Sequence, residues 1–468
     1  MTDRWRTLHR VPDRTHRNAH DSPVTTAGMD EPDDSLPRRE FVKAAVAVGG
    51  TAGLSACLDR LASDPGTATE AVPTGDPDAR PDRQHAWREH VRRDDHGNSL
   101  LPSHQVLVYL TLDRDGPPTA GDRETVATAL ATLDRAYAWR HDALLFSVAY
   151  SPSYFDRFDA AVPGSVDLPP PRALSGFETP TFDRQDVLVH LASDRADVVL
   201  EAEEALVGDA TAANGVSVDA KLTDVASVDS RRTGFVGAGL PAANQDAAGI
   251  PDSRPVPEAS PLFMGFEAGF ADNQATEDYV TIGTGPFAGG TTKAVANIRQ
   301  RLADWYGEQS FAERVAEMFS PAHAEQGLVE GVGDNLGADS GIDQFVDDVP
   351  ERAREAGRVG HAQKAARANR DDDGNVRLLR RHFESTDDIG SDQRVASLHF
   401  PSLQRGITAF EEVREAMNGA DVTRATPAVR QRVNNGILEY IFVRRRGNFL
   451  VPPRRLRALP SPRPDDTS

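Results

Sequence analysis

The chain has 468 residues, of which 39% are hydrophobic, 26% charged and 6% aromatic, and 72 acidic against 52 basic residues leave a formal net charge of -20. That length suits two ordinary domains, and so much apolar material excludes a chain disordered throughout. No uncharged apolar run approaches the ~20 residues that cross a bilayer, which excludes a polytopic membrane protein, and the acidic excess excludes nucleic acid as an expected partner, because phosphate binding by counterion release needs a basic face.

The first informative segment is Ser35 to Cys57. Arg38 and Arg39 stand before a short apolar, Gly-containing stretch, Ala44 to Gly53, and Leu54-Ser55-Ala56-Cys57 follows. This pattern resembles a twin-arginine export signal ending in a lipobox, with Cys57 as the lipidated residue and residues 1–57 outside the fold. Met29 stands closer to the arginine pair than Met1, and either is a candidate start. Cys57 is the single cysteine, so an intramolecular disulfide is excluded despite export. The implied location is the outer face of the cytoplasmic membrane, touched only through the lipid. Lysine occurs only at Lys43, Lys221, Lys293 and Lys364, and such an acidic, lysine-poor composition resembles that of salt-adapted archaeal proteins.

Residues 58–100, rich in Asp, Pro, Thr and Gly, read as a disordered tether. From 101 the periodicity becomes regular. Gln105 to Leu112, Leu144 to Tyr150 and Asp186 to Leu191 read as strands, and a fourth lies near Gly234 to Gly237. Val126, Leu130, Leu133 and Tyr137 mark one helix face, and Asp194 to Leu206 gives a second helix. The order β-α-β-β-α is that of a ferredoxin-like half, residues 101–240.

A similar order recurs over 241–458. Pro261 to Phe266 reads as a strand, and Thr291 or Thr292 as the cap of a helix bearing Val295, Ile298, Leu302 and Trp305. Val376 to Phe383 and Ala396 to Phe400 read as strands, Thr408 to Met417 as a helix, and Ile437 to Val451 as the closing strand. Glu325 to Gly360 reads as a surface excursion and 459–468 as a disordered tail. The expected fold is α+β, two ferredoxin-like domains in tandem.

Several motifs in this order resemble the dye-decolorizing haem peroxidases, over most of the chain after the tether. Phe146 to Phe158 resembles the family's strand and Phe-Asp-Arg-Phe turn, and Gly265 to Gly269 its Gly-x-x-Asp-Gly signature. Gly289-Gly290-Thr291 through Arg299 resembles the Gly-Gly-Thr segment. Leu378 to Arg381, Leu398 to Arg405, Tyr440 and Phe449 to Pro453 resemble later segments. The resemblance implies the dimeric α+β barrel superfamily and a non-covalent haem b with His361 as proximal iron ligand. It further implies Arg380 as the distal arginine, and hydrogen peroxide plus an unidentified electron donor as reactants. It leaves room for a homo-oligomer.

The residues bear on that chemistry independently. A haem iron needs an axial imidazole, and the absence of Cys-x-x-Cys-His leaves any haem non-covalent. Of thirteen histidines, His190, His382 and His399 lie in strand runs, whereas His361 stands outside one and precedes Arg380 by nineteen positions. Cleaving a peroxide needs an acid/base and a cation for the developing negative charge. Arg380 suits the second role, and strand alternation lets only one of Arg380 and Arg381 face a haem. Arg299 is a candidate partner for a haem propionate. Where the signature has its aspartate this chain has Ala268, which carries no proton, so Glu267 and Asp272 are the nearby candidates for acid/base work, provided that the loop bends to admit them. The expected function is an exported haem peroxidase; the alternative is a haem-binding or haem-handling lipoprotein with weak or no peroxidase activity. Asp371 to Asn375 reads as a solvated turn, and no phosphate loop, nucleophile elbow or His-Glu-x-x-His motif is present.

Overall fold

The structure, a computed structural model, describes residues 70–387 and 393–464. Arg38, Arg39 and Cys57 lie outside the described residues. Among those described, no helix is long and apolar enough to cross a membrane.

Eight strands carry the architecture. In the first half they are β1 (His104–Leu112), β2 (Leu145–Tyr150), β3 (Val187–Ser193) and β4 (Ala226–Phe235), with helices α1 (Ala120–Ala136) after β1 and α2 (Ala196–Val207) after β3. In the second they are β5 (Thr291–Gln300), β6 (Phe383–Asp387), β7 (Arg394–Gln404) and β8 (Ile441–Val451). Helices α3 (Phe311–Met318) and α4 (His361–Ala368) fall between β5 and β6, and α5 (Ile407–Ala416) follows β7. The spatial order is β4-β1-β3-β2 in one half and β8-β5-β7-β6 in the other, the same ferredoxin-like arrangement twice. The halves join through Phe235 with Glu384 and Tyr150 with Leu450, which closes the sheet into a ring.

Strand alternation then sorts side chains into lumen and exterior. Val106, Val108 and Leu110 of β1 face outward, where Val126, Leu130 and Leu133 of α1 and Val198 and Ala202 of α2 cover them. Leu107 and Tyr109 face the lumen with Leu188, Val295, Phe383 and Phe449. Each fully buried aliphatic or aromatic side chain of this kind contributes on the order of 1.5–3 kcal/mol. The cap of α1 is a reciprocal pair: Thr119 Oγ1 accepts from the Asp122 amide, and the Asp122 carboxylate accepts from the Thr119 amide.

Buried ions staple the seams. Asp183 accepts from Arg232 of β4 at 2.6 and 2.8 Å and from Arg445 of β8 at 2.8 Å, and neither Asp183 nor Arg232 exposes side-chain surface. Asp387 of β6 accepts from both the amide and the hydroxyl of Thr233 on β4.

Five expectations are corrected. Thr291–Gln300 is a strand, and a helix begins only at Leu302. The segment pairs with β7 on one side and β8 on the other, and its residues 291–297 are also buried on both faces. Its apolar residues then lose the period of two, and the 3.6-like spacing is a coincidence of β-branched positions with the following helix. Pro261 to Phe266 is loop, bent by Gly265 at φ +89°. Residues 70–100 are packed onto the body from at least Gln84, where Gln84, His85 and Trp87 are buried. The end of the chain is anchored too, with Leu459 buried and the Pro460 carbonyl accepting from Tyr154. The excursion 325–360 buries Ile342, Phe345 and Val359.

Because Asp183 holds the fully buried Arg232 guanidinium as well as the partly exposed Arg445, its removal leaves buried charge uncompensated. Asp183→Ala is expected to lower unfolding stability in urea by about 3–5 kcal/mol, and a loss below about 1 kcal/mol would show that the seam does not depend on it.

Candidate functional site

A cavity of about 160 Å³ lies between the outer face of β6 and β7 and helix α4. Its walls are mostly apolar, including Met264, Phe266, Met318, Phe319, Ile342 and Ile437.

The helix wall starts at His361, the first residue of α4. Close backbone approaches pin this turn. A Cβ on Gly360 would lie 1.8 Å from the Phe319 carbonyl oxygen, and one on Gly436, whose φ is +60°, would lie 2.9 Å from the His361 nitrogen. Gln363 donates to the Phe345 carbonyl at 2.6 Å. Lys364, on the side away from the cavity, donates to Met417 O, Asn435 O and Asn435 Oδ1 at 2.6–2.9 Å. The His361 imidazole is thereby held without any hydrogen bond of its own, and its Nδ1 is buried with no partner. Burial, then Lys364 and Arg380, push its pKa down to about 3, so the ring is neutral. Ala362, Ala365 and Ala366 continue the wall with small side chains.

The sheet wall is a row at the strand period. Arg380, His382 and Glu384 all line the cavity, whereas Phe383 turns into the lumen and Arg381 turns to Glu277 and Trp87. Arg380 donates through Nε to Gln274 Oε1 at 3.3 Å and through Nη2 to Asn273 O at 3.2 Å. Burial lowers its pKa to about 10, which leaves it charged. The His382 ring stacks on Phe400 at 5.8 Å and 14°. Its Nδ1 is buried without a partner, and burial followed by Arg380 holds it near 3. Glu384 accepts from the Phe263 amide at 2.8 Å and from Gln300 at 3.0 Å, and burial raises it to about 8. Two strand histidines, His190 and His399, are lumen groups: His190 bonds Gln105 at 2.8 Å, and His399 packs on Phe383.

The loop over the cavity bends at Gly265 and Gly269, both at positive φ, so alternation does not hold there. As a result Glu267 and Ala268 both line this cavity and a second, adjoining chamber. Burial, then Asp334 and Asp94, raise Glu267 to about 6. Arg380 and His382 also face both chambers, and the second extends to Trp87, Leu100 and Val236. Asp272 is exposed and lines neither chamber. Arg299 is likewise exposed and outside the cavity wall, while Arg370, paired with Asp343 at 2.7 Å, stands on it. The structure therefore brings His361, Arg380 and Glu267 together and leaves out Asp272 and Arg299. His382, Glu384 and Arg370 were not singled out as site residues, although the period-two row Arg380-x-His382-x-Glu384 is visible in the sequence. Among the described residues, no group of three or more His, Cys, Asp or Glu is placed to hold a bare metal ion.

A closed double ferredoxin-like barrel with an apolar cavity between one sheet face and one helix defines the class. The family model described as "Family of unknown function (DUF7405)" matches residues 102–453, and the chain belongs to that family. No curated protein matches. Solved structures similar to the chain include a dye-decolorizing protein from V. cholerae, at 13% identity and TM-score 0.47, covering 80% of this chain and 99% of that one. The encapsulated DyP-type peroxidase from Mycobacterium smegmatis has 18% identity and TM-score 0.49, covering 78% and 97%. A DypB variant from Rhodococcus jostii RHA1 in complex with heme has 16% identity and TM-score 0.48, covering 80% and 97%.

Two predictions concern the walls. Gly360→Ala is expected to cost about 2–3 kcal/mol by urea unfolding, since the new Cβ collides with backbone and has no flexible neighbour to displace. Glu384 binds its proton in the folded state alone between its unfolded value of 4.5 and about 8, so the stability it contributes is full below that window and is lost as pH rises through it. The stability of the wild type relative to Glu384→Gln should therefore fall by up to about 5 kcal/mol across that window. A pH-independent difference would place the ionised form in the fold.

Proposed function

We propose that this protein is a haem-dependent peroxidase of the dye-decolorizing type, reducing hydrogen peroxide at the expense of an unidentified donor. The observation that carries the reading is the neutral His361, whose Nδ1 is buried without a partner, on the wall of the same apolar cavity that holds the charged Arg380. A buried imidazole without a hydrogen bond is costly, and an axial bond to iron would satisfy it. The residues present fit a haem b. His361 would hold the metal, the alanines of α4 leave room for a flat ring, and Arg370 on the wall would meet a propionate in place of the exposed Arg299.

Bound haem would supply the oxidation and reduction of the iron and ring that peroxide chemistry requires. The chain supplies the rest. Arg380, held by Gln274 and Asn273, offers a fixed positive charge for the anion that develops as the peroxide bond breaks. Glu267, at the doorway between the chambers with a pKa raised to about 6, holds or releases a proton to water there. Methionines and phenylalanines exclude bulk water from the cavity.

Ala268 supports a second reading, a haem-binding or haem-handling protein without efficient turnover. The twin-arginine and lipobox pattern supports export and anchoring through Cys57 in either case, and the lysine-poor acidic surface supports a saline habitat.

The full chain reconstituted with haemin is expected to show a Soret band that His361→Ala abolishes. Peroxide should shift that band, and Arg380→Ala should slow the shift by about 100-fold or more while the band persists. A stable band that peroxide does not move would favour the handling role. Failure of the wild type to bind haemin would refute both readings.

A further inference from the structure

We infer that His382 is the distal acid/base of this site, taking the part that Ala268 cannot play; the inference rests on the haem reading above. Three observations converge on it. His382 lies two residues from Arg380, in the short segment between the Leu379–Arg380 pairing and β6, and both side chains line the cavity. Its ring is held by parallel stacking on Phe400 at 5.8 Å, and neither ring nitrogen makes a hydrogen bond; Nδ1 is buried without a partner. It also lines both chambers, as Ala268 does, so a small molecule arriving through the second chamber meets it. The other acids are less suited: Glu384 is tied to Phe263 and Gln300, and Asp272 is outside. Glu267 stands at the doorway, where it exchanges protons with chamber water.

The neutral imidazole accepts the proton of the peroxide oxygen nearer the iron and returns it to the other oxygen. The peroxide bond breaks with its electron pair on that outer oxygen, which leaves as water. Bound haem would supply the two electrons that this cleavage needs, and Arg380 would meet the negative charge as it forms. The same base must take the proton of hydrogen cyanide before the cyanide carbon bonds to the iron, so cyanide association reads His382 without turnover.

With the full chain reconstituted with haemin, His382→Ala and His382→Gln are each expected to keep the Soret band. Each should slow both cyanide association and the peroxide-driven spectral shift by about 100-fold or more. Ala268→Asp should restore at least about tenfold of the loss in the His382→Gln background. Two variants of different size guard against a folding artefact, and near-ultraviolet circular dichroism checks the packing. Cyanide association within about threefold of wild type in both variants overturns the proposal and leaves the haem reading intact. Faster cyanide association in His382→Ala also overturns it, because His382 would then be a sixth ligand competing with cyanide. A wild type that takes up no haemin overturns the haem reading itself and this inference with it.

Discussion

Everything at the candidate site depends on strand alternation in a closed ring. Once β4 meets β6 and β2 meets β8, every strand has a lumen face and an outer face, and a one-residue slip would exchange them. The register Phe383 with His399 and Glu384 with Leu398 places Phe383 inside and Arg380, His382 and Glu384 outside. Asp183, held by Arg232 and Arg445, and Asp387, held to Thr233, keep the seams from slipping. Buried ion pairs such as those of Asp183 are weak as net stabilisers but severe when broken, so they suit a role in fixing register.

The helix wall is built differently. No cap hydrogen bond from a side chain of residue 360 orders the start of α4. Two glycines instead let backbone approach closely, and Gln363 and Lys364 tie the helix to the elements around it. The tertiary ties therefore outweigh any local propensity of an eight-residue helix, which in isolation would be marginal. Rigid backbone and unpartnered imidazole occur together here. His361 and His382 both leave a buried nitrogen without a partner in the same cavity. Groups whose burial is uncompensated and whose pKa is displaced mark places where a ligand completes the structure.

Much of this was legible in the sequence. The strand runs 105–112, 144–150 and 186–191 and the helices beside them carry clean periods because each packs on one face only. The repeat of that order gave the tandem fold, and His361 and Arg380 were singled out from the motifs that resemble the dye-decolorizing peroxidases. Where reading failed, the cause was a period that packing removes or a bend that only backbone conformation reveals. The segment 291–300 pairs on both sides and its residues 291–297 are buried on both faces, so its apolar residues no longer alternate. The loop 261–270 turns at two positive-φ glycines, which brings Glu267 to the doorway and leaves Asp272 outside. Residues 84–87 looked like linker because their polar composition hides contacts made with strands distant in the chain, such as Gln84 with Val148 and Pro452. His382 was passed over because a strand histidine is ordinarily a packed one; only the stacking on Phe400 and the cavity beside it distinguish it from His190 and His399.

The central claim is that one cavity, between α4 and the Arg380 row, receives a haem through His361. The most direct test is an iron anomalous difference map from crystals of the haemin-reconstituted full chain. The account predicts a single iron peak within bonding distance of a His361 ring nitrogen, with Arg380 on the other side of the ring. An iron peak bound by another residue, or lying outside this cavity, would contradict it.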